Sequence, residues 1–200
     1  MDESSLTERS ALKEWAVLVD AMARGEIIAM VRKGGIREQR AGFAVHHERF
    51  LFYPTFFHEK ANELAVRFRP ELERSHARTP DAGTIRLEYV AHVAGVWPVD
   101  ALERLPPISA EHGLEWSAVE SRFHYKNKPG VQVVAVRVSR LPEAVVVPDV
   151  KRYQGCVSWV ALDDGVGVSR AEPVLDDASF TMRLTALRNL LGVSARSASE

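Results

Sequence analysis

The sequence predicts an α+β fold: an antiparallel or barrel-like mixed sheet with an N-terminal helix, a central helix and a C-terminal helix. Three observations lead there. Thr84 to Trp97 and Val131 to Leu141 alternate side-chain character as half-buried strands do. Three other stretches space their apolar residues three and four apart, as amphipathic helices do. The strand-like runs cluster without regular β-α alternation, which argues against a doubly wound parallel sheet.

The first helix is expected from near Leu6, because Ser5-x-x-Glu8 has capping-box spacing, with Leu12, Trp15, Ala16, Val19, Met22 and Ala23 on its apolar face. Lys13, Glu14 and Asp20 mark its wet side, and Gly25 stops it. Ile27 to Val31 reads as a buried strand closed by the Arg32-Lys33-Gly34-Gly35 turn. Phe43 to Tyr53 reads as a strand broken around His47 to Arg49 and ended by Pro54. Thr55 then caps a central helix whose stripe is Phe57, Ala61, Leu64, Ala65, Phe68 and Leu72, with Pro70 kinking or ending it. Short helical turns follow at Asp100 to Leu105 and Glu115 to Phe123. Val145 to Val147, before Pro148, reads as a short edge strand. Val157 to Leu162 and Val166 to Val168, around Asp164-Gly165, read as a hairpin. Asp176 or Asp177 caps the last helix, which Gly192 stops.

These elements make one domain over residues 6–192, with an internal boundary near 75–83 and disordered ends at 1–5 and 193–200. The 200 residues are 46% hydrophobic and carry a formal net charge of −1, which excludes a surface that is basic throughout but leaves room for a local basic groove. The lone Cys156 makes no intramolecular disulfide; with no signal peptide, this implies a cytoplasmic protein. No apolar run approaches the roughly 20 residues of a membrane span, so no membrane partner is expected.

Residues 42–60 hold three of the seven histidines and five of the eight phenylalanines, a mixture of titratable and apolar groups that suits either a cleft or a satisfied core corner. His46, His58 and Glu59 are the metal candidates, but no H-E-x-x-H or C-x-x-C spacing accompanies them. No cofactor is expected beyond a divalent metal at these groups. His58, Asp149 and Lys151 are the catalytic candidates. Asp149-Val150-Lys151 is the one Asp-x-Lys in the chain, the residue types that metal-dependent phosphodiesterases place around a scissile phosphate. Arg122-Phe-His124-Tyr125-Lys126 interleaves bases with aromatics, as surfaces that stack bases and contact phosphates do, and as ordinary solvated hairpins also do.

The chain resembles the domain-of-unknown-function family 1802. The residues that carry the resemblance are Leu12 to Val17, Val31 to Ile36, Phe50 to Thr55 with His58, Arg122-Phe123, Val136 to Val138, and Tyr153-x-Gly155-Cys156-x-Ser158-Trp159-Val160. The resemblance implies a companion role beside restriction-endonuclease-like partner proteins in restriction–modification. One departure is His47, where that family favours an acidic residue. A second likeness is to small RNA-binding barrels of the pseudouridine-synthase-associated (PUA) and ASCH type. It is carried by the opening helix, Gly25-Glu26 and the strand ending in Arg32-Lys33.

The leading expectation is a nucleic-acid-associated binding module for DNA or RNA. Arg32, Lys33, Tyr53, His58, Arg122, His124, Tyr125 and Arg137 would line its groove. The alternatives are a metal-dependent phosphodiesterase and a structural or regulatory interaction protein.

Overall fold

The computed structural model describes residues 6–33, 47–57, 59–155 and 157–192. Among these, seven strands form one mixed sheet: β1 (Thr7–Trp15), β2 (Ala29–Arg32), β3 (Arg49–Thr55), β4 (Thr84–Val99), β5 (Val131–Pro148), β6 (Trp159–Gly167) and β7 (Glu172–Pro173). The strand order is β2-β5-β4-β3-β1-β6, with β7 beside β5. Every pairing is antiparallel except β1 with β3, which runs parallel. The path is open, because β6 and β2 stand at opposite ends. Even so, Val160 and Leu162 of β6 share a core with Leu141 and Val145 of β5, so the sheet curls around it. The architecture is therefore α+β and barrel-like without closure.

Two cores follow from the pleat. Phe50 and Phe52 point into a large core shared with α1 (Ala16–Ala23), α3 (Trp116–Phe123) and α4 (Asp177–Leu190). Leu51 and Tyr53, alternating with them, point into the smaller core inside the curl. Strand β3 is thus covered on both faces, as is β1 through Leu12 on one side and Ala11 on the other.

The structure corrects four expected elements. The predicted first helix is a strand up to Trp15, and only Ala16–Ala23 is helical. Thr7 to Trp15 is rich in good helix formers, but pairing with β3 on one side and β6 on the other outweighs a propensity of a few tenths of a kcal/mol per residue. The predicted central helix does not form. Leu64 bridges Leu114, Ala65 N–H donates to the Gly113 carbonyl and Glu115 N–H to the Glu63 carbonyl, which leaves two 3₁₀ turns. Only α2 (Glu71–His76) is helical there, with Pro70 at its start rather than its end. Val145 to Val147 continues β5 beyond a register shift, opposite Ile85 to Leu87. The predicted hairpin at Asp164-Gly165 is a bulge within β6, between the pairs Ser10–Ala161 and Glu8–Val166.

Other expectations match. Gly25, at φ +69°, ends α1, and its N–H donates to the Met22 carbonyl. Asp176 caps α4 by accepting from the Ser179 N–H, which lowers the Asp176 pKa. No helix among the described residues is long and apolar enough to cross a membrane. The expected turn at Gly34-Gly35, the strand segment from Phe43 to His46 and the two expected disordered ends lie outside the described residues.

Because β3 is buried on both faces, adjacent truncations should cost alike. Phe50→Ala and Leu51→Ala are each expected to destabilise the fold by about 3 kcal/mol in chemical denaturation. A near-neutral result for either one would mean that its face of β3 is not a core.

Candidate functional site

The parallel pairing of β1 and β3 brings their C-terminal ends out on the same side. Lys13, Glu14 and Trp15 end β1; Tyr53, Pro54 and Thr55 end β3; Arg32 ends β2 nearby. These ends open onto a cleft of about 890 Å³, the largest described. Residues 79–85, the end of α3, and Asp149, Gln154, Gly155 and Ser158 complete its walls.

One wall is cationic. Glu14 is 4% exposed, and its partners face it: Arg32 Nη1 donates to its Oε2 at 2.9 Å, and Trp15 N–H donates to its Oε1 at 2.9 Å. The helical reading of the sequence puts Glu14 on a wet face; as part of a doubly covered strand it is buried instead. Arg122 Nη1 donates to the Val31 carbonyl at 2.9 Å, and the guanidinium lies 5.6 Å from the Trp15 ring centroid. Its remaining N–H groups have no hydrogen-bond partner among the described residues. Burial lowers the Arg122 pKa, and Arg32 beside it adds to this against the pull of Glu14. Lys13 Nζ donates to the Gly155 carbonyl at 3.1 Å and sits 5.3 Å from the Tyr53 ring.

Lys33 is a clip. Its ammonium donates to the carbonyls of Phe123, Lys128 and Gly130, which uses its three N–H donors. Burial, and then Lys128, lowers its pKa. The clipped turn holds Lys126 and Asn127 at positive φ and presents Tyr125, 41% exposed, at the cleft rim.

A second group of lining residues is acidic and polar. Tyr53 donates its phenol to Asp149 Oδ1 at 2.7 Å, and Gln154 Nε2 donates to Asp149 Oδ2 at 3.3 Å. Burial first, and then Asp149, pushes the Tyr53 phenol pKa up, so it stays a donor. Asp81 also belongs to this group.

The cleft thus brings together Arg32, Lys33, Tyr53, Arg122 and Tyr125 of the expected groove. It does not include His124, Lys151 or Arg137. His124 caps the end of α3 with its ring against Phe123, and Lys151 lies exposed in a 3₁₀ turn. Arg137 is drawn to α4, where it pairs with Asp177 and lies 5.5 Å from the Phe180 ring. His46 and His58 lie outside the described residues. Glu59 serves the fold. Its buried carboxylate accepts from the Val17 N–H at 3.0 Å, capping α1 from a distance, and pairs with His76 Nε2 at 2.7 Å. Burial raises its pKa all the same. Among the described residues, no group of three or more His, Cys, Asp or Glu is placed to hold a metal ion. Asp149 and Lys151, paired in the sequence, differ in setting, since Asp149 is held by Tyr53 and Gln154.

Sequence reasoning missed Phe57. A helical stripe would bury it, yet it stands 80% exposed on the cleft. The Pro54-Thr55-Phe56-Phe57 run after an apolar strand was the available signal.

Beneath the floor, His112 is 3% exposed, and its Nδ1 accepts from the Leu114 N–H at 3.2 Å. Burial, Arg122 and Arg67 push its pKa from 6.5 down to about 4. Between these values the unfolded chain binds a proton that the folded chain refuses, so stability falls as pH drops from 6.5 towards 4, by about 3 kcal/mol in all. His112→Gln is expected to remove that part of the pH dependence in denaturation curves. A difference curve that stays flat from pH 7 to 4 would refute the assignment.

Two solved structures from Zymomonas mobilis are similar to the chain. A mutant of its ASCH protein shares 10% identity at a TM-score of 0.46, covering 91% of this chain and 99% of that one. The ASCH protein itself shares 11% at 0.45, covering 89% and 94%. No curated protein matches. The family described as "Domain of unknown function (DUF1802)" matches residues 11–186, nearly the whole described sheet and its helices, and the chain belongs to that family.

Proposed function

We propose that the chain is a nucleic-acid-binding module whose cleft holds a short run of unpaired nucleotides. The observation that carries this reading is the meeting of two exposed aromatic rings, Phe57 and Tyr125, with Lys13, Arg32 and Arg122 on one cleft. Every base has a π-face, so exposed rings bind unpaired bases with little regard to sequence, while guanidinium and ammonium groups hold the phosphates between them. A cleft of about 890 Å³ suits a few nucleotides rather than the broad face of a duplex. The overall charge of −1 agrees with a local site rather than a long phosphate track.

Lys33 acts in this reading by holding the turn that carries Tyr125. Arg32 has two roles, because its guanidinium also neutralises Glu14. Arg32→Ala would strand a buried carboxylate and confuse binding with folding. The exposed rings are the cleaner probes.

The test is fluorescence anisotropy with single- and double-stranded DNA and RNA at two salt concentrations. Single strands are expected to bind better than duplexes, with a salt slope of about −0.7 per phosphate held. Phe57→Ala with Tyr125→Ala is expected to weaken binding at least tenfold at unchanged stability, given about 1–3 kcal/mol per stacked base. Absence of binding, or full affinity in the double variant, would sink the proposal.

A further inference from the structure

The cleft is lined by charges of both signs that do not pair with each other among the described residues, and that has a consequence for which base it holds. The lining includes Arg32 and Arg122, the latter half-buried with guanidinium N–H groups that have no partner among the described residues. It also includes Asp149 and Asp81. Among the described residues Asp149 accepts from two neutral groups, the Tyr53 phenol and the Gln154 amide, and a carboxylate has about four lone-pair sites. The Asp81 carboxylate has no hydrogen-bond or ion-pair partner among the described residues. Neither acid is ion-paired among the described residues, although four cationic side chains line the same cleft. The Tyr53 side chain touches charges of both signs, with Lys13 over its ring and Asp149 at its hydroxyl.

A ligand that is negative at one end and rich in hydrogen-bond donors at the other complements such a cleft. A phosphate answers the arginines. An exocyclic amino group answers a carboxylate, as the amino group of cytosine answers Asp or Glu in base recognition. A carbonyl oxygen in the same place would face a carboxylate, acceptor against acceptor. We infer that the cleft selects nucleotides whose base carries an exocyclic amino group over uracil and thymine, with Asp149 as the discriminating acceptor and Asp81 assisting. The inference rests on the nucleic-acid reading above and adds base preference to it.

Cytosine and uracil make the sharpest comparison, because the two rings have the same size and differ along one edge: at C4, amino against oxo, and at N3, an acceptor in cytosine and an N–H in uracil. The experiment measures anisotropy of short C-run and U-run oligonucleotides on the full chain, with Asp149→Asn and Asp81→Asn beside it. The wild type is expected to bind the C-run roughly tenfold more tightly, within the range of a good base-edge contact. Asp149→Asn is expected to bring the ratio close to one, because an amide can both donate and accept. Asp81→Asn, at an exposed position, is expected to reduce the ratio partly and keeps the test independent of any folding effect at Asp149. Equal binding of the two runs by the wild type, or tighter binding of the U-run, would overturn the base preference and leave the module reading standing. Failure of both runs to bind would overturn the module reading, and the preference with it.

Discussion

The carboxylate of Glu14 sits 4% exposed at the end of β1, and the guanidinium of Arg32 at the end of β2 lies 2.9 Å from it. Strands β1 and β2 are not neighbours in the sheet, so this pair ties together elements that the ladder leaves apart. A buried charge without its partner typically costs about 3–5 kcal/mol, so the pair holds both strand ends in one arrangement. Trp15 follows in the chain and carries Arg122 on its ring, and Arg122 in turn bonds to the Val31 carbonyl beside Arg32. The cationic wall of the cleft is therefore a consequence of how Glu14 is neutralised.

Around that centre, charged side chains divide into those that hold the fold and those left facing the cleft. Lys33 organises the turn at Tyr125, and Glu59 caps α1. Arg137 fastens the start of α4, and Arg183, within α4, bonds to Gly25, Glu26 and Glu111. Asp149 and Arg122 differ: among the described residues their partners are neutral and neither makes a direct ion pair, and both line the same space. That contrast, rather than cleft size, makes the end of β1 and β3 the functional candidate. It also explains why a count of basic residues along the chain selects Lys33 and Arg137 together with Arg122. Residue type does not say whether a cation is already satisfied.

Much of the fold was legible where local signals agreed. Thr84 to Trp97 and Val131 to Leu141 alternate strongly, and both lie in strands. Asp176 and Gly192 bracket a helix whose Phe180, Leu187 and Leu191 are buried. Reading failed where tertiary pairing opposed a local preference. Lys13 and Glu14 look like the wet side of a helix, but a strand covered on both faces must bury successive residues, and Glu14 is tolerated there because Arg32 arrives from another element. Phe57 and Phe68 share a helical spacing in the chain, yet one is 80% exposed and the other 1%, because the Leu64–Leu114 bridge breaks the helix between them.

By itself the sequence determined the fold class, the two long strands and the closing helix. These follow from periodicity and turn chemistry, which act over a few residues. Only the tertiary structure decided that β1 lies parallel to β3, that Glu14 is buried, and which of the expected basic groups face a common cleft. Those outcomes depend on contacts between residues far apart in the chain, such as Glu14 with Arg32 and Tyr53 with Asp149, and no local pattern encodes which distant partner a charged group will meet.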